Sequence, residues 1–263
     1  MVLHYAAMVE RVKFSSSTGP LLAGILDVPA GPAQGWGVFA HGFTLGKDSH
    51  AGARICRQLA REGIGMLRFD ALGLGESEGD WGDGSFTVKI ADVVRATEFM
   101  AERGTPATLL VGHSWGGAAV IAAARQAVGV RAVATVGAPV DPGHVELQYD
   151  AVVERVLAEG SAEWLVGGEA LTLKKAFVED VRRAELRDRI RELGLPLMVM
   201  HAPTDNTVGI ENASEIFRTA RHPRSFVSLE GANHLLNDPG QAVRAARILA
   251  AWAVYYLGAE PPR

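Results

Sequence analysis

Ser114 lies in Gly112-His113-Ser114-Trp115-Gly116, between the apolar run 107–111 and the helix-forming run 118–124. A strand, a tight turn and a helix therefore meet at one hydroxyl, an arrangement that presents a serine oxygen as a nucleophile. Glycines flank the turn because side chains there would collide with the strand and helix. A serine attacks only if a base takes its proton, and a histidine titrating near neutrality is the natural base. Among eight histidines, His234 follows the last predicted strand, in Gly231-Ala232-Asn233-His234. His113 sits inside the turn and must point away from Ser114, and His41 precedes a different loop. His4, His50, His144, His201 and His222 have no matching context.

An imidazole acting as base must be held in one tautomer and steadied as it becomes positive, which a carboxylate on its other nitrogen does. Asp205, after the penultimate predicted strand, is the candidate; Asp141, after the strand that follows the turn, competes for the role. Asp70 ends its own strand and reads as a structural turn residue. The chain order is then Ser114, Asp205, His234. Attack on a carbonyl creates an oxyanion, and one aimed backbone N–H can stabilise it by about 3 kcal/mol. The N–H of Trp115, at the helix start, and that of Phe43, in His41-Gly42-Phe43, are the expected donors. Gly42 lets the backbone approach closely.

Other chemistries find less support. The histidines are not spaced as i, i+4 ligand pairs with an acidic cluster, so no metal and no cofactor are expected. The loop Gly73-Leu74-Gly75-Glu76-Ser77-Glu78-Gly79 lacks a nucleotide-binding spacing and reads as a surface loop. Cys56, the single cysteine, excludes an internal disulfide and reads as a half-buried core thiol. A net charge of −4, with the arginines of 182–191 interleaved with acids, argues against nucleic acid. No apolar stretch approaches the length of about 18 residues that a membrane span needs. A soluble, cytoplasmic protein without a signal peptide is expected.

The elements that must position these residues are legible in outline. With 263 residues, 48% of them hydrophobic, the chain can build a sizeable core. Strands are expected at 9–14, 21–28, 36–40, 64–69, 107–111, 130–136, 197–200 and 226–229. Asp48 and Ser49 are placed to cap a helix ending at Gly63; further helices are expected at 88–100, 118–124, 211–220 and 241–257. Alternating strands and helices imply an eight-stranded, mostly parallel sheet with helices on both faces. Residues 141–193 break the rhythm, with helical segments and a hairpin near Gly167-Gly168. They read as a small inserted cap, leaving 1–140 and 194–263 as the core. Phe43, Asp70, Ser114, Asp141, Asp205 and His234 all follow strands, so they should gather at the C-terminal sheet edge, where such folds bind ligands.

The motifs 41–50, Leu67-Arg68-Phe69-Asp70 with 73–79, Pro203-Thr204-Asp205-Asn206-Thr207-Val208-Gly209, and Arg221-His222-Pro223 with Ser225-Phe226-Val227 carry a closer resemblance. Together they resemble the α/β-hydrolase superfamily, in particular a bacterial group found alone or fused to an osmotically-inducible-protein-C (OsmC) domain. The resemblance runs over nearly the whole chain. It implies an α/β-hydrolase fold and a serine hydrolase with Ser114, Asp205 and His234 as triad and Phe43 and Trp115 as oxyanion donors. The cysteine-bearing second domain is absent here, so no peroxidase activity is implied. Trp115 stands where the group more often has a smaller aliphatic residue. The activity expected is a carboxylesterase cleaving short to medium acyl esters of small molecules, as a monomer or homodimer. A peptidase, thioesterase, acyltransferase or perhydrolase using the same triad is the alternative, and a non-catalytic binding protein a further one.

Overall fold

The computed structural model describes residues 8–258. The main sheet takes β1 (Met8–Ser15), β2 (Leu21–Val28), β3 (Gly35–Ala40), β4 (Ile64–Phe69), β5 (Leu109–His113) and β6 (Ala132–Val136) from the first half of the chain. An insertion then carries the separate hairpin β7 (Ser161–Val166) and β8 (Glu169–Lys174), after which β9 (Leu197–His201) and β10 (Arg224–Ser228) complete the sheet. The order is β1-β2-β4-β3-β5-β6-β9-β10. β1–β2 and β2–β4 pair antiparallel, and every other pair is parallel. Strands β4, β5, β6 and β9 are buried at every residue. Their mostly apolar character is what a parallel sheet covered on both faces requires; Arg68, His113, Thr135 and His201 are the buried polar exceptions.

The helices are α1 (His50–Arg61), α2 (Phe86–Glu102), α3 (Trp115–Ala123), α4 (Asp150–Glu159), α5 (Lys175–Arg183), α6 (Arg187–Arg191), α7 (Ile210–Thr219) and α8 (Pro239–Leu257). Alternate strand residues divide the core in two. Phe39, Met66 and Val111 pack with Ile55, Cys56 and Leu59 of α1 and Leu249 of α8. Val38, Leu67 and Leu110 pack with Val93 of α2 and Val120 of α3 on the opposite face. This is the period-two geometry of a pleated strand. Helix α3 is apolar and buried on all sides, as a central helix must be when the sheet and a second layer enclose it. Ile248, Trp252 and Tyr256 of α8 pack on the core, while Tyr255 is exposed.

Two details differ from the sequence reading. Cys56 is fully buried, not half-buried, because α1 is sandwiched between the sheet and α8. Ser49 stands at the N-cap of α1 but its side chain makes no capping bond. Asp48 is drawn away from the helix by Arg68, whose Nη1 donates to it at 2.7 Å. The loop 73–79 lies at the surface, with Gly75, Glu76, Glu78 and Gly79 exposed.

Candidate active site

The turn between β5 and α3 holds Ser114 at φ 54° and ψ −127°, a left-handed backbone that a non-glycine residue adopts at a cost. The strain is held by hydrogen bonds on both sides. The Ser114 N–H donates to the Val136 carbonyl at 2.8 Å, and the Gly117 N–H donates to the Ser114 carbonyl at 2.7 Å. A Cβ on Gly112 would overlap the Gly116 carbonyl, and one on Gly116 the Ala40 carbonyl. Only glycines allow this crossing of strand, turn and helix.

Ser114 is 8% exposed. Its Oγ lies 3.0 Å from His234 Nε2, and His234 Nδ1 lies 2.7 Å from Asp205 Oδ2. A carboxylate only accepts, so a neutral His234 carries its proton on Nδ1 and turns its Nε2 lone pair toward the serine hydroxyl. The other carboxylate oxygen, Asp205 Oδ1, accepts the N–H groups of Thr207 and Val208, each at 2.9 Å. Burial pushes the Asp205 pKa up, but the His234 hydrogen bond and these two N–H donors outweigh it and hold the acid below its ordinary value. Asp141, the competing carboxylate, instead accepts the Gly143 N–H at 2.8 Å and starts a 3-10 turn.

Three neighbours were given no part in the site from sequence: His113, expected only to point away from Ser114, His201 and Gly137. His113 Nε2 lies 2.7 Å from the His234 carbonyl; burial pulls its pKa down to about 4, so the ring is neutral and that nitrogen donates. His201 Nε2 lies 2.8 Å from the Val208 carbonyl and ties down the loop that presents Asp205. Gly137 has φ 60°, and a Cβ there would sit 3.4 Å from His234 Nδ1 and 3.5 Å from Asp205 Oδ2. A histidine inside the turn and a glycine straight after β6 were the available signals; neither is distinctive without the fold.

Phe43 follows β3, and Gly42 brings that loop against the serine: a Cβ on Gly42 would lie 3.2 Å from Ser114 Cβ. Trp115 is the first residue of α3, where an N–H has no intrahelical partner. Among the described residues neither the Phe43 nor the Trp115 N–H makes a hydrogen bond. The side chains of both join an aromatic roof. The Phe43 ring centre lies 5.3 Å from that of Trp115, 5.8 Å from Trp81, Trp164 and Phe177, and 6.0 Å from Tyr149. Tyr149, Trp164 and Phe177 belong to the insertion. Trp115 also fastens the insertion directly, its Nε1 donating to the Pro142 carbonyl at 3.2 Å.

With this geometry in hand, comparison with known proteins is informative. Residues 38–247 match the alpha/beta hydrolase family. The chain belongs to that family. No curated protein matches it. Among solved structures it is similar to the esterase domain of a Rhodothermus marinus protein, at 38% identity and a TM-score of 0.75, over 95% of this chain and 100% of the other. It shares its fold with Est1E from Butyrivibrio proteoclasticus, solved with ferulic acid bound, at 17% identity and a TM-score of 0.75, over 92% and 98% of the two chains. A hypothetical protein from Pseudomonas aeruginosa superposes at 17% identity with a TM-score of 0.79, over 97% and 96%.

In this alpha/beta hydrolase the loop after β4 is a working part of the site's frame. Asp70 accepts the Lys47 N–H at 2.7 Å, Lys47 Nζ at 2.8 Å and the Glu76 N–H at 3.0 Å. Lys47 Nζ also pairs with Glu76 at 2.7 Å. These bonds wrap the glycine-rich loop over a buried ion pair and deliver Trp81 to the roof. Behind Trp115 lies a second buried cation. Lys89 of α2 is 5% exposed, its Nζ stands 5.7 Å over the Trp115 ring, and it borders a cavity of about 30 Å³. Burial pulls its pKa down to about 8. Among the described residues no carboxylate lies within ion-pair distance of it; Asp92, the acid whose charge favours it, accepts hydrogen bonds from Ser16 and Ser17. No three His, Cys, Asp or Glu side chains among the described residues are grouped to hold a metal, and no described helix is long and apolar enough to cross a membrane.

Proposed function

We propose that this hydrolase is a serine carboxylesterase that cleaves short to medium acyl esters through an acyl-enzyme on Ser114. The observation that carries the reading is the hydrogen-bonded series Ser114, His234, Asp205, at 3.0 and 2.7 Å. Ser114 Oγ attacks the ester carbonyl while its proton passes to His234 Nε2. Asp205 stabilises the imidazolium that results. The oxyanion is received by the N–H groups of Phe43 and Trp115. The imidazolium then gives its proton to the departing alcohol. Water, deprotonated by the same nitrogen, hydrolyses the acyl-enzyme and restores the serine. The insertion acts as the lid, its rings excluding water above the reacting carbonyl.

Glu146, a carboxylate of the insertion that could anchor a free amine in a peptidase, is already paired and does not favour that alternative. Glu146 is held by two bonds from Arg182, at 2.8 and 2.5 Å. The likeness to the esterase domain of the Rhodothermus marinus protein supports esters as the substrate class. The experiment is turnover of p-nitrophenyl acetate and butyrate by wild type and Ser114→Ala, with fluorophosphonate labelling of both. Ester turnover and labelling by wild type alone are expected. Equal rates in the two proteins would remove Ser114 from the mechanism, and amide turnover exceeding ester turnover would reject the esterase.

A further inference from the structure

The loop that carries His234 is pinned on both flanks. Before the histidine, the Ala232 N–H donates to the Leu229 carbonyl at 3.1 Å. Beyond it, the Leu236 N–H donates to the Asn233 carbonyl and the Asn237 N–H to Asn233 Oδ1, each at 3.1 Å. Arg54 of α1 donates to the Asn237 carbonyl at 2.9 Å. His234 itself is held at one point. Among the described residues its main chain takes part in a single hydrogen bond, from His113 Nε2 to its carbonyl at 2.7 Å. Its ring must nevertheless reach Ser114 Oγ and Asp205 Oδ2 together. Both distances are kept only if the backbone that carries the ring is fixed.

His113 is an exception in its own strand. It ends β5, where Leu109, Leu110 and Val111 are apolar, and it is wholly buried. Its Nδ1 is buried with no hydrogen-bond partner. A polar atom left unpaired in the interior costs free energy, so an apolar side chain would suit the core better. What an apolar side chain cannot supply is the one bond this ring makes. The ring is also neutral: burial, and then the His234 ring whose centre lies 5.2 Å away, hold its pKa down. Neutrality is required there, because His234 becomes positive in each turnover and a second cation beside it would oppose that charge.

We propose that His113 is a positioning residue for the base, its Nε2–H clamping the His234 carbonyl so that the His234 ring stays within reach of Ser114 and Asp205. This rests on Ser114 being the nucleophile and His234 its base. The clamp and the nucleophile are consecutive residues of one turn, so the turn that presents the hydroxyl also sets where the imidazole stands. No proton passes through His113. A misplacement of about 1 Å can cost about 10²-fold in rate. His234 serves acylation and deacylation alike, so loosening it slows both steps together; kcat then falls while KM, which follows their ratio, holds.

His113→Leu removes the bond and gives β5 another residue of its own character. It should lower kcat for p-nitrophenyl acetate by about 10- to 100-fold and change KM by less than about threefold. Fluorophosphonate labelling should slow to a similar degree yet still reach every folded chain. His113→Gln, whose uncharged amide N–H can extend to the same carbonyl, should recover most of the lost kcat; the shorter His113→Asn should not. The proton shared by His234 Nδ1 and Asp205 should give a sharp magnetic resonance signal downfield of the amides in wild type and His113→Gln, and a broadened one in His113→Leu. If His113→Leu does not fold, the contrast between Gln and Asn decides. Equal kcat in those two, or kcat per labelled chain in His113→Leu equal to that of wild type, overturns the clamp and leaves His113 a folding role alone. The wild type supplies a test that needs no variant: imidazole nitrogen shifts showing the His113 proton on Nδ1 would also overturn it. A wild type that neither takes the probe nor hydrolyses esters overturns the nucleophile and the clamp together.

Discussion

Replacing Lys89 with Met should stabilise this protein at neutral pH. Lys89 is 5% exposed, and its Nζ stands over the face of Trp115. Burial lowers its pKa from 10.5 to about 8. At 1.36 kcal/mol per pH unit, keeping it charged in the folded protein at pH 7 costs roughly 3 kcal/mol. The Trp115 ring returns about 0.5–2 kcal/mol by cation–π attraction, so a net gain of about 1–3 kcal/mol is expected from a side chain of similar length that carries no charge. Because the folded-state pKa of this base is depressed, the unfolded chain binds the extra proton between pH 8 and 10.5. Wild-type stability attributable to Lys89 therefore rises through that window, and the advantage of Lys89→Met shrinks across it. Urea denaturation of both proteins at pH 7, 8, 9 and 10 isolates the effect, since all other titrating groups are shared. A stability difference that stays constant from pH 7 to 10 would refute the buried-charge argument.

Asp205→Asn should keep the fold but lower kcat for p-nitrophenyl acetate by a factor on the order of 10³–10⁴, because an amide no longer fixes the His234 tautomer. Since the folded pKa of Asp205 is depressed, its contribution to stability is present above the ordinary carboxylate range and is lost as pH falls through the folded value. Thermal melts of the wild type and Asp205→Asn should therefore converge in acid. Arg68→Met should cost about 3–5 kcal/mol in chemical denaturation, because Arg68, fully buried, donates to Asp27 at 2.8 Å and to the Lys47 carbonyl at 2.6 Å; adding Asp27→Leu should recover much of the loss. Cys56, whose thiol pKa is raised by burial, should react with a disulfide reagent such as 5,5′-dithiobis(2-nitrobenzoate) only after unfolding.

The strands at the middle of the sheet were readable because burial on two faces leaves them mostly apolar; 64–69, apolar but for Arg68, and the run into Ser114 are examples. Ser114, Asp205 and His234 could be picked out as candidates because each follows a strand, and the order of parallel strands brings such ends together. What escaped notice depends on distant partners. Glu76 looks like a solvent-facing acid and is exposed, yet it also pairs with Lys47, which Asp70 holds from 23 residues away in sequence. Asp48 has the character of a helix cap, yet an arginine on β4 outcompetes the helix N–H groups for it. His113 and Gly137 earn their significance only from the His234 carbonyl and ring that approach them across the sheet edge.

The aromatic roof makes the protein its own optical probe. Three of its five tryptophans, Trp81, Trp115 and Trp164, meet around Phe43, one contributed by each of the loop after β4, the helix behind the serine and the insertion. Any event that lifts β7 from the sheet edge must separate indole rings and admit water to them. Emission wavelength then reports the state of the doorway in unlabelled protein, during a single turnover as well as at equilibrium.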